Sequence, residues 1–392
     1  MERTELNAWL RLTLAPGIGN GAARKLLAAF GSAEAVFTQT PVALRQLGTD
    51  RLVSAVQHSP EALPALLQTT LDWLAAGSDR SICTLGSPNY PSALLNIEDP
   101  PLMLYMVSSQ LKRAQAATQS IATNLAMVGS RNPTPQGELN ARQFAKAFAG
   151  QGLCIVSGLA LGVDGAAHDG ALLGAAADGC ATIAVVGTGL DRVYPKKHLA
   201  LAHRIVANGM IISEFPLGTP PLTANFPKRN RIIAGLTQGT LVVEAALRSG
   251  SLITARLANE QGKDVFAIPG SIHSPQSRGC HYLIKQGAKL VETAEDVMQE
   301  LKVAYPKLAA NANADADEAE ADFEDDAADA DEGLSREPAL MTALGFDLVS
   351  LDALQARTGL PTPELQARLL ELELNGDIRR LPGGLFQRVA QG

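Results

Sequence analysis

The stretch LAMVGSRNPTPQG, residues Leu125–Gly137, changes character at its fifth residue. Four apolar residues with no polar alternation run into Gly129 and Ser130, and a helical pattern, PQGELNARQFAKAFAGQG, opens at Pro135. A strand that offers apolar side chains to both sides is one covered on both faces, as in a parallel sheet between helices. The signature recurs in LCIVSG, TIAVVGT, GMIISE, TLVVEA and VFAIPG, apolar runs that close on Gly, Ser or Glu. Helical segments such as TARLANEQG lie between them. Repeated strand–helix order from Thr118 to about Lys302 predicts an α/β fold with a Rossmann-like, doubly wound, mostly parallel sheet.

Outward from this centre the pattern changes on both sides. Residues 1 to about 75 read as short helices broken by turns, an all-α module. Within it LAPGIGNGAARKLLAAFGS places Pro16, Gly17 and Gly19 before a helix expected from about Gly21 to Phe30. That order suggests a helix-hairpin-helix (SAM-like) element, whose glycines let backbone amides approach a phosphate. On the other side, residues 308–333 carry eleven Asp or Glu and no Lys or Arg. Such a segment cannot bury enough apolar surface to offset its chain entropy and is expected to be a disordered linker. The remaining 29 acidic and 33 basic residues leave a balance of about +4, although the whole chain carries −7.

After the linker, TGLPTP separates two helical patterns, and Gly383–Gly384 marks a short strand pair. This order predicts a winged helix, whose second helix ordinarily enters the major groove. Here that helix carries Glu364, Glu371 and Glu373 against Arg368. Acidic groups repel phosphate, so the module reads as a partner-binding or regulatory domain. The expected plan is therefore a helical module over 1–75, a Rossmann-like domain over 76–302, a linker over 303–336 and a winged helix over 337–392.

Several classes fall away. Cys83, Cys154, Cys180 and Cys280 are far apart, with no CxxC pair or zinc-ligand spacing, and the six histidines are scattered. No metal is expected, and the cysteines read as reduced residues of a cytoplasmic protein. The stretch MERTELNAWLRL has no signal-peptide pattern, and no run of about 20 apolar residues predicts a membrane span. No GxGxxG in its dinucleotide form and no GxxxxGK[ST] occurs, so no nucleotide cofactor is expected.

Ligands of open parallel sheets bind beyond the carboxyl ends of the strands. Four turns converge there. VGSRNPTPQG supplies Gly129, Ser130 and Arg131, and SGLALGVDGAAH supplies Gly158 and Gly162 before a helix N-terminus. GTGLDRVYPKKH supplies Lys196 and Lys197, and the turn before TARLANEQG supplies Ser249, Gly250 and Ser251. NFPKRNR adds Phe226, Lys228, Arg229, Asn230 and Arg231, read as a segment preceding a helix. Basic side chains along one rim, with an aromatic face beside them, suit a single-stranded polynucleotide better than a mononucleotide. The competing reading puts Phe226 and Pro227 in the core and pairs the arginines with Glu214 or Glu244.

These motifs, with ISEFPLGTPPLTANFPKRNRIIAGLTQGTLVVEAALRSGSLITARLANEQGKDVFAIPG, resemble in order and spacing the DNA-processing protein A family (DprA, also called Smf). The resemblance covers residues 80–302 densely. It implies a non-enzymatic single-stranded DNA binder of natural transformation, without cofactor. Such a protein protects the incoming strand, helps displace single-strand-binding protein, loads the RecA recombinase and acts as a homodimer. The family's phosphate-binding Gly-Ser-Arg falls on Gly129, Ser130 and Arg131, and its basic and stacking groups on Lys196, Phe226, Arg229 and Arg231. Thr223 stands where members often carry Lys, so that phosphate contact is missing or moved to Lys228 or Lys197.

A rival is the lysine-decarboxylase-like nucleotide phosphoribohydrolase, which needs a PGGxGTxxE loop with a catalytic Glu. LTQGTLVVEAA keeps Gly239, Thr240 and Glu244 but lacks the preceding Pro-Gly-Gly. Asp164 and His168, four residues apart, could form an acid–base pair, although capping is the commoner role of such a spacing.

Overall fold

The computed structural model describes residues 1–177, 179–302, 337–344 and 348–389. The chain divides into two compact units, Met1–Val303 and Ala304–Gly392. The expected linker over 303–336, with its acidic run, lies outside the described residues.

The first unit opens with α1 (Arg3–Leu14), α2 (Asn20–Phe30), α3 (Ala33–Phe37), α4 (Pro41–Arg45), α5 (Asp50–Gln57) and α6 (Leu63–Ala75). Ser32 and Thr40 accept from backbone N–H groups of α3 and α4, which satisfies donors that a helix start leaves open. Leu6, Trp9, Leu10, Leu26, Val36 and Leu44 close a core of their own.

There follow β1 (Arg80–Thr84), β2 (Met103–Val107), α7 (Leu111–Gln119), β3 (Asn124–Val128), α8 (Pro135–Gly150), β4 (Cys154–Ser157) and α9 (Val163–Gly174). Next come β5 (Thr182–Val185), α10 (Leu199–Asn208), β6 (Met210–Ser213), α11 (Asn225–Gly235), β7 (Gly239–Val242) and α12 (Ser251–Glu260). The unit ends with β8 (Asp264–Ala267), α13 (Arg278–Lys285), β9 (Lys289–Leu290) and α14 (Ala294–Glu300). All nine strands form one sheet in the order β1-β2-β6-β5-β4-β3-β7-β8-β9. From β6 to β9 every neighbour is parallel.

Two-sided burial explains the unalternating runs. Leu125 and Met127 of β3 join a core with Phe148 of α8 and Ala167 of α9. Ala126 and Val128, their neighbours in sequence, pack with Ile232 and Leu236 beside α11 and Ala255 of α12. Both sides of the strand need apolar atoms, so no polar residue interrupts the run from Leu125 to Val128. The fold is the expected doubly wound one, with a difference at one edge. β1 and β2 pair antiparallel, Ile82 opposite Tyr105, ahead of the strand–helix repeat from which the sheet was inferred. They dock the helical module, where Trp73 of α6 meets Tyr105 edge-on at 5.8 Å.

The second unit contains α15 (Glu337–Leu344), β10 (Val349–Ser350), α16 (Leu351–Thr358), α17 (Thr362–Asn375), β11 (Ile378–Leu381) and β12 (Leu385–Arg388). Leu354, Leu365, Leu369, Ile378 and Phe386 form its core beneath a three-stranded sheet. This is the expected winged helix, to which the structure adds α15 and β10. Arg368 of α17 is engaged by Glu364 at 2.8 Å. No helix among the described residues is long and apolar enough to cross a membrane.

Candidate nucleic-acid interface

Strand order runs one way from β3 through β4, β5 and β6, and the other way from β3 through β7, β8 and β9. Chain connections therefore diverge between β3 and β7, and a crevice opens beyond their carboxyl ends. A cavity of about 640 Å³ occupies it. Gly129, Ser130 and Arg131 form one wall, Phe226, Arg229 and Asn230 a second, and Ser249, Gly250 and Ser251 a third.

Each wall is set by close packing. A Cβ on Gly129 would lie 2.7 Å from the Val163 side chain and 2.9 Å from the Glu244 carbonyl, so glycine lets β3 pass between α9 and β7. Gly162 has φ +78°, and a Cβ there would lie 2.6 Å from Pro133. It thus seats the Ser130–Arg131 turn on the start of α9, where the Val163 N–H donates to the Ser130 carbonyl at 3.1 Å. Ser130 Oγ accepts from the Asn132 N–H at 3.1 Å, which leaves Arg131 projecting into solvent. Its guanidinium stands 5.4 Å from the centre of the Phe226 ring. That ring is half-buried and meets Tyr194 at 5.7 Å.

NFPKRNR is not a loop before a helix; it is the first two turns of α11. A helix turns about 100° per residue, so residues adjacent in sequence leave it in different directions. Phe226, Asn230 and Ile233, at helical spacing, all face the cavity. Asn230 Nδ2 donates to the Gly250 carbonyl at 3.2 Å and joins α11 to the third wall. Lys228 is exposed and lies 5.8 Å over the Phe215 ring, away from the cavity lining.

The expectation that Arg229 and Arg231 present free charge to a ligand needs correction. Arg229 is 4% exposed. Its Nη1 donates to the Gly158 and Val185 carbonyls, and Nη2 lies 3.8 Å from Asp164. Burial pulls its pKa down to about 10, against the attraction of Asp164. Gly158 serves this contact, because a Cβ would overlap the guanidinium. Arg231 is 8% exposed and pairs with Glu214, with Asp99 at 3.5 Å, outside the cavity lining. The competing sequence reading was thus right about Arg231 and Glu214, and wrong about Phe226. Lys196 and Lys197 are exposed in a short 3-10 turn that does not line the cavity.

The carboxylates and the imidazole of the enzyme reading are engaged by groups of the protein itself, although Asp164 also lines the cavity. Glu244 accepts from the Thr134 N–H at 2.9 Å and from Thr134 Oγ1 at 2.6 Å. Burial raises its pKa and those bonds oppose the shift. Thr134 is itself the cap of α8, accepting from Gly137 N. Asp164 accepts from the N–H groups of Gly158 and Ala160 at 3.2 and 3.3 Å, and burial raises its pKa more than Arg229 lowers it. His168 is fully buried, accepts from the Leu159 N–H through Nε2 at 3.3 Å, and meets Thr182 Oγ1 through Nδ1 at 2.7 Å. Both residues hold the turn after β4, where Leu159 adopts a left-handed backbone at φ 57°.

Tyr194 and Arg248 line the cavity without having been expected there. Their signals were local: Tyr194 precedes Lys196 by two positions, and Arg248 directly precedes Ser249.

Residues 81–302 match the family described as DNA recombination-mediator protein A, and residues 324–384 match the DprA winged helix domain. Protein Smf of Escherichia coli (strain K12) is 41% identical over 350 residues, covering 89% of this chain and 86% of that protein. DNA processing protein DprA of Streptococcus pneumoniae is 45% identical over 215 residues, 54% of this chain and 71% of the relative. The X-ray structure of the pneumococcal protein superposes with a TM-score of 0.60 at 34% identity, over 76% of this chain and 98% of that one. DNA processing protein A of Helicobacter pylori, described with a single-stranded DNA binding mode, superposes with a TM-score of 0.50 at 30% identity, over 57% and 97%. A family match over more than half the sequence, with a relative similar across nearly all of it, leads to one conclusion: the chain belongs to the DNA recombination-mediator protein A family.

Proposed function

We propose that this protein binds single-stranded DNA at the switch-point cavity and acts in DNA processing during natural transformation. The observation that carries the reading is the exposed Arg131 guanidinium set 5.4 Å over the half-buried Phe226 ring. A guanidinium suits a phosphate and a ring suits a base, and an unpaired strand offers both at short intervals. Arg248 and the Ser249–Ser251 turn extend the polar wall along the same cavity. Within this reading Lys196, Lys197 and Lys228 steer the polyanion from outside the cavity. Arg229, Arg231 and Asn230 shape the surface rather than grip the strand, with Gly158 and Gly162 admitting the packing this needs. Thr223 lines the cavity as a neutral residue, which leaves phosphate contact to Arg131 and Arg248.

The role is binding rather than turnover. The Glu244 carboxylate is engaged by Thr134 on both oxygens, which argues against a phosphoribohydrolase. Protection of the strand, displacement of single-strand-binding protein, loading of RecA and action as a homodimer in the cytoplasm are proposed on family membership.

Purified protein titrated with fluorescein-labelled oligo-dT tests the reading. Binding that weakens as salt rises, little retention of duplex, and no adenine release from AMP are expected. Adenine release without strand binding would favour the hydrolase instead.

A further inference from the structure

A second cavity, of about 320 Å³, adjoins the first. Trp73 of α6, Val107 of β2, Leu190 and Val193 of the β5–α10 loop, Val206 of α10 and Ile211 of β6 wall it with apolar atoms. Tyr194 lines both cavities. The residue is 46% exposed, and its ring lies 5.7 Å from the Phe226 ring on the side of the first cavity. The charged groups of the lining are locally balanced, with His203 beside them as an imidazole: Arg80 lies 3.7 Å from Asp79, and Arg192 lies 2.7 Å from Asp191, which stands just outside the lining. Arg80 also covers the Trp73 ring at 5.5 Å.

We propose that this cavity receives a nucleobase of the strand held at the first, turned in past Tyr194. The assignment rests on the single-strand reading above and names a second contact for that strand. Apolar walls with locally balanced polar groups suit a flat heterocycle with hydrogen-bonding edges. They offer a phosphate little, because each arginine of the lining already has a carboxylate beside it. The backbone therefore stays with Arg131 and Arg248 while one base leaves the stack at Tyr194. At the lower end of the volumes usual for small-ligand sites, the cavity has room for a single base.

Tryptophan fluorescence tests the assignment, because the chain has two tryptophans and Trp9 lies in the separate core of the helical module. Addition of oligo-dT to the wild-type protein is expected to quench emission, and Trp73→Phe to remove the quench. Val193→Phe, which fills the slot, is expected to bind oligo-dT about tenfold more weakly. An abasic sugar–phosphate strand of the same length, added to the wild-type protein, is expected to bind without quenching. This last measurement stands even if Val193→Phe unfolds. Should oligo-dT bind in an Arg131-dependent manner with Trp73 emission unchanged, the base pocket falls and the strand reading survives. Equal quenching by the abasic strand also overturns the pocket. Failure of the wild-type protein to bind any strand removes both.

Discussion

Arg229 Nη1 donates to the carbonyl oxygen of Gly158 at 2.6 Å, joining positions 71 apart in the chain. The contact ties the start of α11 to the turn just after β4, so the guanidinium is fixed within the cavity wall it helps to form. A buried cation with fixed acceptors is a different object from a surface cation available to phosphate. Removal of one partner of such a group leaves the others buried and unpaired.

Arg229→Ala is therefore expected to destabilise the fold by about 3 kcal/mol or more, because it strands Asp164 and the carbonyls of Gly158 and Val185. Urea denaturation followed by circular dichroism measures it. A variant as stable as wild type, with strand affinity selectively lost, would show that Arg229 contacts DNA directly.

Arg131→Ala has the opposite profile. The side chain is exposed, so unfolding should shift little. Loss of one charge-assisted phosphate contact is expected to cost ~1.5 kcal/mol, about tenfold in affinity, for every base composition alike. The slope of log affinity against log salt should fall by about one. Fluorescence anisotropy at several salt concentrations checks both. Unchanged affinity at physiological salt would remove Arg131 from the interface.

Phe226→Ala separates stacking from charge. Its loss should cost ~1–3 kcal/mol of strand affinity while leaving the salt slope nearly intact. Phe226→Trp is expected to retain binding. Collapse of the fold in Phe226→Ala would instead reveal a core residue. The same titrations, with a thermal melt for each variant, distinguish the outcomes.

His168 makes a pH prediction. Burial lowers its pKa from 6.5 to about 3. Between those values the unfolded chain takes up a proton that the folded imidazole refuses. Stability attributable to this residue is therefore full above about pH 6.5 and is lost as pH falls toward 3, by at most ~1.4 kcal/mol per pH unit. Denaturation midpoints at stepped pH values, for wild type and His168→Gln, should show a shallower acid slope in the variant. Equal slopes would mean that the imidazole protonates in place.

Much of the fold was legible from the chain because burial on two faces leaves a local mark. Leu125 to Val128 have no polar member, and the run stops at Gly129, where the strand stops. The winged helix was readable from its turns: TGLPTP separates the two helices, its Gly359 ending α16 in a left-handed conformation, and Gly383–Gly384 marks the strand pair. The edge pair β1 and β2 was not read, although MLYMV of β2 is also an unalternating apolar run, because it lies ahead of the strand–helix repeat that carried the inference.

The interface divides along the same line. The sequence by itself determined which small residues stand at the end of β3, because Gly129 and Ser130 sit where the apolar run stops; Phe226 was singled out by its basic neighbours, although it lies in the first turn of α11. Only the tertiary structure decided which charges remain free. Arg131 and Arg229 are the same residue type, yet one is solvated and the other is held by the carbonyls of Gly158, just after β4, and of Val185 in β5. A side chain's partners come from elements distant in sequence, and a helix sends successive residues in different directions. Desolvation and pairing, not residue type, set what a charge can reach.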